Sequence, residues 1–194
     1  MMRLQELHPA VVHFPIALVP LSVAADAIGS SGRQPRWAWM GRTLWRVAAG
    51  AAGLAAVTGL VAQEEVKVSD DAFPLLATHR TLNAAAGTAI LSLAVGRRGR
   101  DQATGAEIGL GLLTLAVMTY SAWLGGRMVY EHGVGVKPAG GVQTDHESDM
   151  AALGARASMR LAAGDVAHGV RHAASDLASG VVAPALKPSV ARRA

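Results

Sequence analysis

Stretches of about twenty residues with almost no charge recur four times in this chain, and no other feature narrows its possible folds as much. A helix of that length, rising 1.5 Å per residue, crosses a hydrocarbon layer about 30 Å thick. The runs cover about residues 9–29, 44–63, 79–96 and 107–132. Because lipid offers a backbone N–H or C=O no partner, each run must be helical. The expected fold is all-α, an integral membrane four-helix bundle over residues 1–137. An Ala/Gly-rich soluble tail, loosely structured or disordered, follows over 138–194. Within it, residues 150–177 have the pattern of a weak amphipathic helix.

Composition supports a membrane chain: 51% of the residues are hydrophobic, only 16% are charged, and the mean hydropathy is +0.29. The absence of cysteine excludes disulfides, thiolate-bound zinc and iron–sulfur clusters. Any metal or haem must therefore be held by His, Met, Tyr or carboxylate. The net charge of +4 arises largely from arginines clustered between apolar runs. Two phenylalanines and two tyrosines give little surface for stacking bases, so nucleic acid is not an expected partner.

Those arginines orient the bundle. Arg33, Arg36, Arg42 and Arg46 follow the first run, and Arg97, Arg98 and Arg100 follow the third. The positive-inside rule makes this side cytoplasmic. Both termini then lie outside a bacterial inner membrane, which the chain crosses as a multi-pass protein. Residues 30–43 read as a loop with Trp37 and Trp39 at the interface, and residues 64–78 as the longest interhelical loop. In the first run, Pro9 suits a helix start, whereas Pro15 and Pro20 predict a kink. A cleaved signal peptide ending near Ala25 would need a more basic start than Arg3 beside Glu6 provides. In the second run Gly50, Gly53 and Gly59 predict close helix packing, and such faces also permit a homo-oligomer.

Alternating crossings bring His8, His13, His79 and His132 to the outer end, with Glu64, Glu65, Tyr130 and Glu131. Ionisable groups at such places commonly face a cavity or the bundle interior. His8 and His13 point about 140° apart on a helix, so one faces the bundle and the other turns away. Asn83 lies one turn after His79 on the same face. Each histidine also has a plain reading as a cap, an interfacial hydrogen bonder or a solvated side chain. His146, His168 and His172 of the tail read as solvated, although His168 and His172 have the i,i+4 spacing of a weak metal pair.

The run Leu7-His8-Pro9, the run His13-Phe14-Pro15-Ile16-Ala17-Leu18, His79 with Asn83, and the closing run from Gly125 to Val136 resemble a known family. It is a bacterial membrane-domain family, domain of unknown function 2231, and the resemblance covers roughly residues 5 to 137. It implies a four-helix inner-membrane domain found near redox modules such as c-type cytochromes, and hence an electron-transfer context.

The leading expectation is a b-type haem held by His13 and His79, with His8 and His132 as supporting or propionate partners and Asn83 beside them. The variant is a copper or iron ion bound by His8, His13, His79 and His132 with Glu131 or Glu64. The alternative is a non-catalytic membrane subunit or assembly factor with structural histidines. A transporter is disfavoured because there is no inverted repeat and Asp26 alone is clearly buried and acidic. No nucleophile elbow, HExxH or phosphate loop suggests a hydrolase. Thr58, Thr88 and Thr114 read as backbone-bonded packing residues.

Overall fold

The computed structural model describes residues 4–32, 34–136, 139–140 and 154–186, and the side chains of these from residue 6 onward. The architecture is all-helical. Helices α1 (Leu4–Val11), α2 (His13–Ser31), α3 (Pro35–Glu65), α4 (Phe73–Gly96) and α5 (Gly105–His132) form the bundle. Helix α6 (Ala155–Ala178) and a 3-10 turn at Pro184–Leu186 follow.

Proline chemistry sets the first boundary. The Pro15 ring stands where an amide would bond the Val11 carbonyl, so α1 ends at Val11 and α2 starts two residues later. The path bends without unravelling, because Val12 N–H still donates to the His8 carbonyl at 3.0 Å and Ile16 N–H to that of Val12 at 3.2 Å. Pro9 lies inside α1 rather than in its first turn. Helix α3 starts nine residues before Leu44, with Pro35 in its first turn, so Trp37 and Trp39 sit on a helix instead of a loop. Likewise α4 starts at Phe73, which places His79 in its second turn. A capping box formed by Thr104 and Glu107 opens α5, and Gly133, at φ 65°, closes it.

Three stretches are long and apolar enough to cross a membrane: Glu6–Ser31, Pro35–Glu65 and Gly105–His132. Helix α4 has the length, but His79, Arg80 and Asn83 dilute its apolar character and it is not among the three. It is nevertheless an integral part of the bundle. Helix α2 packs on α3, α3 on α4, α4 on α5, and α5 back on α2, which closes a ring. In its middle lie Val19, Val23, Trp45, Ala48, Ile90, Leu93 and Ala94, all buried. The hydroxyls of Thr58, Thr88 and Thr114 donate to the carbonyls of Leu54, Ala84 and Leu110, so each serves the backbone as expected. Gly50 and Gly53 meet nothing within 4 Å. The close approaches occur elsewhere, for instance at Gly29, where a Cβ would stand 2.7 Å from the Ala38 nitrogen.

The two helical hairpins, α1–α3 and α4–α5, repeat one register. His8 precedes Asp26 by eighteen residues, and His79 precedes Arg97 by the same interval. Pro15, Val19, Ser22, Val23 and Asp26 are buried, and so are their counterparts Ala86, Ile90, Leu93, Ala94 and Arg97. On the second helices, Trp45, Ala48, Ala55 and Thr58 match the equally buried Gly111, Thr114, Ser121 and Leu124. Exchanging the hairpins maps the ring of helices onto itself. The repeat keeps helix direction, unlike an inverted repeat.

Opposite charges meet across the middle at one end. Arg97 Nη2 donates to Asp26 Oδ1 at 2.8 Å, with the two side chains 1% and 2% exposed. Trp45 Nε1 donates to the other carboxylate oxygen at 2.8 Å. The glycine at position 41 makes room here, because a Cβ there would overlap Asp26 Oδ1 and stand 3.0 Å from its Cγ. Removing one member of such a pair leaves a buried charge uncompensated, at a cost of about 3–5 kcal/mol, whereas an apolar pair of similar volume removes that cost. Thermal unfolding in detergent is therefore expected to show a large loss of stability for Asp26→Ala and recovery of most of it in Asp26→Leu/Arg97→Met. Equal stability of Asp26→Ala and the parent chain would contradict the packing described.

Candidate functional site

At the opposite end of the ring, the hairpin repeat produces two matching histidine sites. His8 on α1 places Nδ1 3.0 Å from the Ala55 carbonyl of α3. His79 on α4 places Nδ1 2.8 Å from the Ser121 carbonyl of α5. In each case a glycine four residues on makes room for the ring. A Cβ on Gly59 would stand 3.0 Å from His8 Cε1, and one on Gly125 would stand 3.3 Å from His79 Cε1. A hydroxyl joins each group: Thr58 Oγ1 donates to the Ala55 carbonyl at 3.1 Å, and Ser121 Oγ lies 3.0 Å from His79 Nδ1.

This geometry fixes the tautomer. A carbonyl oxygen only accepts, so in both residues Nδ1 carries the proton, and the neutral ring keeps its lone pair on Nε2. Histidines that ligate metals commonly donate their other ring N–H to a carbonyl or carboxylate in this way. Both rings are partly buried, and they occupy equivalent positions at the same end of the ring of helices.

The other expected site residues are placed differently. His13 is exposed at the start of α2, and it is His8 whose bond to a helix carbonyl matches that of His79. The cause is the break before His13, together with the angular separation of the two positions, which turns His8 rather than His13 toward α3. Asn83 is exposed and donates from Nδ2 to the His79 carbonyl at 2.9 Å, which braces the helix turn without facing the ring nitrogen. His132 is half-buried in the last turn of α5. Glu131 is exposed and engaged by Arg127, whose Nε lies 2.8 Å from Oε1 and whose Nη2 lies 2.6 Å from Oε2. Arg127 also stands over the Trp123 ring, 5.1 Å from its centroid. Among the described residues, no three His, Asp or Glu side chains gather closely enough to hold a metal ion. A three- or four-ligand centre built from His8, His13, His79, His132 and Glu131 is thus not assembled. His146 lies outside the described residues.

Several contributors are invisible to a reading of residue types. The carbonyls of Ala55 and Ser121 carry no sequence signature, and Gly59 reads as one more small residue in an Ala/Gly-rich run. The signal that finds them is the repeat, in which His8, Gly59 and Glu65 return as His79, Gly125 and Glu131. In protein labelled with ¹⁵N-histidine, nuclear magnetic resonance is expected to show two rings with the proton on Nδ1. Gly59→Val should abolish that state for His8 while leaving His79 unchanged. Two rings protonated on Nε2 alone would contradict the hydrogen bonding.

No curated protein and no solved structure matches the chain. A family model described as a predicted membrane protein, domain of unknown function 2231, matches residues 5–138, which include all of the bundle but Leu4 and all four of its histidines. The chain therefore belongs to this family of membrane proteins.

Proposed function

We propose that His8 and His79 form a two-histidine site for the iron of a b-type haem and that the protein works in electron transfer in a bacterial inner membrane. The observation that carries the reading is the paired Nδ1–H bonding, which leaves one Nε2 lone pair on each of two equivalent helix positions. The donor set fits such an iron: His8 and His79 would each offer it a neutral imidazole Nε2, and no third protein ligand would be required. A haem iron so held would supply one-electron chemistry.

The chain's own contribution is orientation. The helix carbonyls hold both rings and raise the basicity of their free nitrogens. Gly59 and Gly125 let the rings lie close against the partner helices. The surrounding bundle limits water and thereby tunes the potential. Partners under this reading are the lipid bilayer and a redox protein such as a cytochrome. With Arg36, Arg42, Arg46, Arg98 and Arg100 on the cytoplasmic side, the histidine end and both termini face outward.

A second reading, a non-catalytic membrane subunit or assembly factor, draws on the same bonds. They join α1 to α3 and α4 to α5 without any ligand.

Absorption spectra of protein purified from haem-replete cells separate the two. A Soret band with split visible bands on reduction is expected, lost in both His8→Ala and His79→Ala and kept in His13→Ala. Metal without haem would assign the pair to a copper or iron ion. Neither signal in folded protein would leave the structural subunit as the function.

A further inference from the structure

Residues after the bundle return to the seam between α3 and α4, at the histidine end. Gly169 of α6 rests on Leu60, where an added Cβ would stand 3.0 Å from the Leu60 carbonyl oxygen and 3.2 Å from its Cβ. One turn further, His172 Nδ1 lies 3.1 Å from Glu64 Oε1 on α3. Asp176 then receives Arg80 of α4, with Nη2 at 2.6 Å and side chains only 17% and 24% exposed. Beyond the helix, the Ala185 amide donates to Thr78 Oγ1 at 2.9 Å, and Thr81 Oγ1 donates to the Val182 carbonyl. Ala185 also packs against the apolar cluster of Ala72, Leu75, Leu124, Met128 and Val134.

Arg80 is central to these contacts. Besides Asp176, its Nη1 donates to Gln63 Oε1 of α3 at 3.0 Å, so one guanidinium ties α3, α4 and the returning segment together. A planar fork with several fixed donors suits this three-way role better than a lysine would. The residues that grip the segment, Thr78, Arg80 and Thr81, surround His79 in sequence. The two helices tied together are those that position the histidine pair, since His8 is bonded to α3 and His79 belongs to α4.

We infer that residues 169–186 are a clamp across the α3–α4 seam, with Arg80 as the positioning residue, and that the clamp sets the separation and exposure of His8 and His79. It deepens the two-histidine reading by adding control of the site's geometry from outside the bundle. Release of the clamp lets the histidine ends of α3 and α4 part, and both rings become more accessible.

Two measurements on the full-length chain in native membranes test this without requiring a cofactor. The sequence has no cysteine, so Leu60→Cys/Gly169→Cys introduces the only thiols, close to the spacing a disulfide spans. Their oxidation to an intramolecular disulfide is expected. Asp176→Arg sets a cation against Arg80 and leaves every bundle residue intact. Diethylpyrocarbonate labelling, read by mass spectrometry, should then rise severalfold at His8 and His79 and stay constant at the exposed His13. Failure of the disulfide to form overturns the seating of the segment. Unchanged labelling in Asp176→Arg, or an equal rise at His13, overturns its control of the pair. Loss of the haem reading shows separately, as a missing Soret band in both proteins, and the ratio of labelling between Asp176→Arg and the parent chain is read in either case.

Discussion

Every polar group inside a lipid-facing bundle needs a partner within the protein, and this requirement organises the structure. At one end it is met for Asp26 by Arg97 and the Trp45 indole, while Arg97 Nε and Nη1 are left without a hydrogen-bond partner. At the other it is met by two histidines, each bonded to a helix carbonyl. Between them lies a layer of apolar side chains with hydroxyls bonded to their own backbone. Desolvation of two charges offsets much of the attraction within the buried ion pair, so its net contribution to stability is small beside the cost of breaking it. The ion pair admits only one pairing of the hairpins, because two copies of either half would set like charges together.

The hairpin repeat explains why the two ends look so different. Equivalent positions carry opposite charges at one end and identical histidines at the other. Opposite charges bind each other, although Arg97 Nε and Nη1 stay buried without a hydrogen-bond partner. Two neutral imidazoles with their N–H groups already committed have no such mutual satisfaction, and each retains a free lone pair. A pair of this kind suits a shared ligand on the line between the halves, and that contrast is the physical basis for the functional proposal.

Much of this was legible in the chain. The apolar runs gave the helical bundle, and the closing run from Gly125 to Val136 pointed to the family. The amphipathic pattern of the tail appears as α6. What escaped was local geometry. Helix α3 begins among Gly, Pro and Arg residues that read as a loop, because Pro35 is favourable only once it is known to occupy a first turn. Arg97 read as one more cytoplasmic cation, although it is buried against Asp26 from another helix. The choice between His8 and His13 depended on which side of a proline-induced break faced α3, and residue types alone do not encode that. The return of residues 169–186 to the bundle rests on side-chain contacts between segments distant in sequence.

The most direct test asks which histidine stands opposite His79. In this cysteine-free chain, His8→Cys/His79→Cys and His13→Cys/His79→Cys each provide a single pair of thiols, to be treated in membranes with a short bifunctional thiol reagent. The structure predicts an intramolecular cross-link for the first pair and none for the second. A cross-link for the His13 pair with none for the His8 pair would contradict the hairpin arrangement and the two-histidine site built on it.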